Sequence, residues 1–166
     1  MNSPNVYDIR NFFNTIKIKA IMSHPVTTVQ ETDDLSEVEK IFIEQGSTHV
    51  CIVDADNKLT GLITQKYLYK VRSPQKILPG RSLKHDENTL IDGDSFYDKK
   101  TLDGYILREL MDKNFSTLHP DDTVSKALSF MARLNVGCIP IVDENQKVRG
   151  LLKEHHIIKT LAELSS

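Results

Sequence analysis

The chain says one thing twice. A displacement of 89 residues, from Met22 to Met111, lays Met22-Ser-His-Pro-Val-Thr-Thr-Val on Met111-Asp-Lys-Asn-Phe-Ser-Thr-Leu and Ile52-Val53-Asp54 on Ile141-Val142-Asp143, and the match runs ungapped to Lys70 and Lys159. Eleven of the forty-nine aligned positions are identical. That is too few to preserve side-chain chemistry, yet apolar positions mostly stay opposite apolar ones, so both segments must form the same supersecondary unit. A duplicated unit in 166 residues points to a pseudo-symmetric module whose functional surface is the seam between its copies.

The first copy reads as a short extended piece, Val26 to Val29, then a helix with Leu35, Val38, Ile41 and Phe42 at helical spacing. Asp34 with Glu37 has the spacing of a capping box, and Gly46-Ser47 closes the helix. Val50 to Val53 is a β-rich run that stops at the turn composition Asp54-Ala-Asp-Asn, and Leu59 to Thr64 follows as its hairpin partner. The second copy repeats the order. Phe115 to Leu118 is the extended piece, and Asp121-Asp122 is the cap. The helix carries Val124, Ala127, Leu128, Met131 and Leu134, and the strands are Ile139 to Val142 and Val148 to Leu152. Ile157, Ile158, Leu161 and Leu164 mark a closing amphipathic helix. Gly61 and Gly150 fall at the same place in the second inner strand, where glycine signals a bulge or a close approach, of packing or of ligand. The fold class is therefore α+β with α/β-like units of order β-α-β-β-α; the hairpin is antiparallel, and the helical crossover permits a parallel neighbour.

Val6, Ile9, Phe12, Phe13 and Ile16 lie at helical spacing, which predicts an N-terminal helix packed on the module or on a second subunit. Residues 71–106 join the copies and are rich in Pro, Gly, Asp and Lys. Within them Asp92-Gly-Asp94-Ser-Phe-Tyr-Asp98 faintly resembles a calcium loop, but its glycine and terminal glutamate positions are wrong. A net charge of −2 and no basic run argue against nucleic acid. No apolar stretch reaches the roughly 20 residues that span a bilayer, and the polar start lacks a signal-peptide core, so a cytoplasmic, membrane-free protein is expected. Cys51 and Cys138 sit in apolar strand-like runs and read as buried free thiols.

Laid out in this way, both copies resemble CBS domains, the tandem units of Bateman modules. The resemblance covers Ile18 to Lys70 and Leu107 to Leu164. It is carried by Met22 with Val26-Thr-Thr-Val, Met111 with Phe115-Ser-Thr-Leu, the Ile139-Pro140-Ile141-Val142-Asp143 run, and the Gly61-Leu62-Ile63-Thr64 and Gly150-Leu151-Leu152 strands. It implies two β-α-β-β-α units packed as one CBS pair, divided as a helical extension over 1–17, a first domain over 18–70, a linker over 71–106 and a second domain over 107–166. It also implies two clefts at the seam that take an adenine nucleotide (AMP, ADP or ATP) or a related adenosyl ligand, with no required cofactor. The partners implied are a second copy in a homodimer and an unidentified protein effector in trans.

The family's ligand signature, Gly-x-x-Thr-x-x-Asp, reads Gly61-Leu-Ile-Thr64-Gln-Lys-Tyr67 in the first copy and Gly150-Leu-Leu-Lys153-Glu-His-His156 in the second. The ribose-binding carboxylate is missing from both, while Lys153 and His156 bring donors to where phosphate would lie or stand as exposed helix-start residues. The resemblance places Val26, Thr27, Thr48, His49, Thr64 and Tyr67 on the first cleft. Phe115, Ser116, Gly137, Cys138, Lys153 and His156 fall on the second. No phosphate-binding loop, His-Glu-x-x-His or Gly-x-Ser-x-Gly occurs, so no catalytic residue is assigned; the resemblance implies a non-catalytic regulatory module. The alternatives are a ligand-free dimerisation or interaction module and, behind it, a metal site using His155, His156, His49 and Cys138; no metal ligand is assigned.

Overall fold

The computed structural model describes residues 6–65 and 107–164. Tyr67, the linker, its Asp92–Asp98 segment and the first copy beyond Gln65 lie outside the described residues. The elements are α1 (Val6–Thr15), a 3-10 turn (Ile18–Ala20), β1 (Thr28–Gln30), α2 (Leu35–Gln45), β2 (His49–Val53), β3 (Leu59–Thr64), α3 (Leu107–Leu110), α4 (Val124–Leu134), β4 (Cys138–Val142), β5 (Val148–Lys153) and α5 (Glu154–Leu164). α2, β2 and β3 map onto α4, β4 and β5 residue for residue under the sequence repeat. β1 runs parallel to β2, β2 pairs antiparallel with β3, and β4 pairs antiparallel with β5.

Local chemistry accounts for this regularity. Both hairpin turns are held by one aspartate: Asp54 Oδ1 accepts from the Asp56 and Lys58 amides at 2.9 and 2.8 Å. Asp143 Oδ1 likewise accepts from Asn145 and Lys147 at 2.9 and 3.0 Å. Such side-chain bonds let Asx residues nucleate turns. Both helices stop at a left-handed residue, Gly46 (φ 60°) and Asn135 (φ 53°), conformations open to glycine and tolerated by asparagine.

The helix starts depart from expectation. Asp34 occupies the N-cap of α2 but makes no side-chain cap bond, so the capping box is not formed. Its neighbour Asp33 instead accepts from the Gln30 amide at 2.7 Å, and Asp122 repeats this with His119 at 2.9 Å. With Asp122 so engaged, the N-cap of α4 is Thr123, whose hydroxyl accepts from Lys126 N at 3.2 Å. Phe115 to Leu118 does not form a strand: Leu118 makes a single parallel bridge to Ile141. Pro140 stands where the first copy has Cys51 and has no N–H to offer the leading segment, which shortens the ladder. Leu134, expected on the apolar face, is 42% exposed.

Two cores form, and each is completed by the segment that precedes the other repeat. Val29, Leu35, Val38, Phe42, Val50, Ile52 and Ile63 close around Leu107 and Met111. Val124, Ala127, Met131, Ile139, Ile141, Leu152 and Ile157 close around Phe13 and Ile18. Ser23 bridges antiparallel to Leu151, and Asp112 to Leu62. α1 thus packs on the second unit, against α4, which settles what its spacing left open. The glycines sit under these crossings. A Cβ on Gly61 would lie 2.5 Å from Met111 Cγ and 2.8 Å from its Cβ. On Gly150 it would lie 2.5 Å from Met22 Sδ and 2.9 Å from the Ser23 carbonyl. Both glycines also face the register shifts of their hairpins, at Ile52/Val53 and Ile141/Val142. Close packing of the crossing segments explains them.

Candidate functional site

Strand periodicity builds the seam. Val50 and Ile52 point into the first core, so His49 and Cys51 point the other way. That second face meets the second unit in a cluster of Cys51, Cys138 and Leu151, with Val26, Leu59, Leu62 and Val148 packed against it. The Leu59 amide reaches across to the Gln146 carbonyl at 2.9 Å. His49 is paired with Thr64, and Cys138 with Lys153, and partners in an antiparallel pair share a face. The apolar seam therefore has polar neighbours at the strand ends: His49 and Thr64 from one sheet, Lys153 from the other.

The electrostatics agree with this placement. Burial, and then the Lys153 ammonium across the seam, push the His49 imidazole down to about 4. Burial pushes the Cys51 and Cys138 thiols up to about 12, with Lys153 opposing in both cases. Both cysteines are free and buried, as expected. Thiols this far from ionisation are packing groups rather than nucleophiles.

The predicted first-cleft residues divide. Val26 packs on the seam cluster. Thr48 Oγ1 and His49 Nδ1 are 2.8 Å apart, and Thr64 is half-buried opposite His49. Thr27 is exposed and donates to Gln45 Oε1 of α2 at 2.8 Å. Among the second-cleft residues, Phe115 is half-buried, Ser116 is exposed, and Cys138 and Lys153 face each other on the seam. Gly137 is occupied from outside: a Cβ there would stand 2.6 Å from Glu154 Oε1. His156 is used locally, since its Nδ1 accepts from the Lys153 amide at 3.2 Å and its ring packs edge-on against His155 at 4.2 Å. Burial, His155 and nearby lysines hold it below the ordinary histidine range.

Cys51 and Glu154 belong to this region and were not singled out as site residues. Cys51 was legible, because it lies two positions after His49 and must share its face. Glu154 was legible only as the counterpart of Gln65. In both units this residue donates its amide to the equivalent carbonyl, Gln65 to Thr48 and Glu154 to Gly137, at 2.9 Å. Among the described residues no three His, Cys, Asp or Glu side chains are grouped to hold a metal ion. No helix among them is long and apolar enough to cross a membrane.

Comparison with known proteins bears on this geometry. The CBS domain profile matches residues 18–73 and 107–163. The chain is 25% identical over 157 residues to a homoserine O-acetyltransferase of Methanohalobium evestigatum, covering 95% of this chain and 26% of that protein. It spans about a quarter of the length of the curated relatives it first matches. Among solved structures it is similar to the CBS domain pair of protein MJ0100 in complex with 5′-methylthioadenosine and S-adenosyl-L-methionine. The TM-score is 0.68 at 23% identity, covering 90% of this chain and 98% of that one. CBSX2 in complex with AMP gives 0.66 at 13% identity, covering 90% and 98%.

Proposed function

The chain belongs to the CBS domain family, and from that premise we propose that it is a non-catalytic regulatory module that binds an adenine nucleotide or adenosyl compound at its seam and relays the binding to a partner protein. The observation that carries this reading is the seam itself: a closed apolar interface edged by half-buried His49, Thr64 and Lys153. Apolar walls with a few convergent polar groups are what a small-molecule site requires. The ligand class comes from the similar CBS pairs that hold 5′-methylthioadenosine, S-adenosylmethionine and AMP. Regulation would follow from differential affinity for two arrangements of the units, typically about 1–3 kcal/mol of coupling.

The test is a thermal-shift and calorimetric panel of adenosine, AMP, ADP, ATP, 5′-methylthioadenosine and S-adenosylmethionine. A ligand at about 100 times its Kd stabilises the folded chain by about 2.7 kcal/mol and raises its melting temperature. No shift and no heat across the panel at millimolar concentration would remove the sensing reading.

One observation favours a second, compatible reading, in which the module pairs with another copy or docks on its effector. A groove of about 380 Å³ between α4 and α5 is lined by Leu128, Met131, Val136, Ile157, Ile158 and Leu161 among others. Ile158 in its wall is 63% exposed. Native mass spectrometry of freshly purified protein reads copy number and retained ligand together.

A further inference from the structure

We propose that Lys153, supplied by the second unit, selects the ligand of the first unit's half of the seam, so that the module takes phosphorylated adenosines in preference to neutral or cationic adenosyl compounds. This deepens the sensing reading and rests on it.

Position comes first. Lys153 ends β5 opposite Cys138, and Cys138 lies in the seam cluster, so the lysine stem leaves the strand on the seam face rather than toward the second core. It is half-buried there. Its field reaches His49 and Cys51 on the opposite sheet as well as Cys138 on its own. The sequence repeat puts Lys153 in the second cleft, but its electrostatic reach extends to the first.

Charge balance comes second. Lys19, Lys40, Arg108, Lys126 and Arg149 are paired with Asp121, Glu37, Glu31, Asp122 and Asp143. Among the described residues no carboxylate forms such a pair with Lys153. A seam lysine that no carboxylate pairs among the described residues is placed to receive an anion. The groups beside it suit the same ligand. His49 is held neutral and contacts Thr48 through Nδ1, and Thr64 lies on the same face.

The other half of the seam has the opposite character. Glu154 sets its carboxylate over Gly137, where the first unit has neutral Gln65 beside Thr48. Phosphate is repelled at the Glu154 end, so one anionic ligand binds per chain.

Calorimetry with adenosine, AMP, ADP and S-adenosylmethionine on the full chain and on Lys153→Met tests this. The wild-type protein is expected to bind in the order ADP, AMP, adenosine, S-adenosylmethionine, with a stoichiometry of one for ADP. Lys153→Met should lose at least about tenfold for ADP, the size of one charge-assisted contact, and far less for adenosine. Lys153→Arg should retain the preference for ADP, and circular dichroism on each variant controls for folding. Equal wild-type affinity for all four compounds, or an ADP preference that survives in Lys153→Met, overturns the inference and leaves the sensing reading intact. Failure of all four to bind removes both.

Discussion

At the scale of single residues, His49 governs how the protein responds to acid. Its imidazole is pushed down to about 4 by burial and by Lys153, whereas an unfolded histidine titrates near 6.5. Between those values the unfolded chain binds the additional proton, so stability rises with pH through this window and is lost as pH falls from about 6.5 toward 4. His156 is shifted in the same direction and adds to the slope. Urea midpoints measured from pH 7 to 4.5 should therefore decline, with His49 contributing on the order of 2 kcal/mol once screening at a half-exposed ring is allowed for. His49→Gln should flatten that decline, and an unchanged slope would assign the acid sensitivity elsewhere. The lysine that depresses this histidine lies 104 positions away in the sequence. No periodicity could have paired them, since the pairing is made by two sheet faces meeting.

At the scale of elements, the repeat is followed closely wherever backbone chemistry is in charge. The lengths of α2 and α4 and of the two hairpins, the Asp54 and Asp143 turns and the left-handed Gly46 and Asn135 correspond between copies. The caps differ, and the difference is measurable. Thr123 makes a side-chain bond at the start of α4, while Asp34 at the start of α2 makes none. Thr123→Ala should cost about 1 kcal/mol in a urea titration, the usual worth of an N-cap bond. Asp34→Ala should cost less than about half of that. Equal losses would mean that the Asp34 carboxylate acts through the helix dipole. The capping-box spacing was visible in the sequence, but whether Asp33 or Asp34 turns its carboxylate to the helix depends on the Gln30 amide, which the chain presents only once folded.

At the scale of the whole molecule, the units are interlocked rather than side by side. Ile18 and Leu107 are repeat equivalents, both are fully buried, and each, in the segment leading into one repeat, fills the core built by the other repeat. Ile18→Ala and Leu107→Ala should each cost about 2–5 kcal/mol. Hydrogen exchange should show the lost protection crossed over: Ile18→Ala weakens β4 and β5, and Leu107→Ala weakens β2 and β3. Loss confined to the nearer strands in either variant would refute the exchange of segments. Such an arrangement would also suit the proposed regulation, because a ligand at the seam would touch two bodies that cannot separate without opening both cores.

By itself the sequence determined the duplicated unit, the helix and hairpin of each copy, and the apolar face each would bury, because these follow from local periodicity and turn chemistry. It also showed that the copies agree in scaffold and disagree at Thr64 and Lys153 and at Tyr67 and His156. Only the tertiary structure decided which unit each leading segment completes, that Gly61 and Gly150 make room for methionines, and that Lys153 acts on His49. Those are contacts between residues tens of positions apart, set by how two sheets pack, and a one-dimensional pattern carries no record of which of its repeats will lie across which.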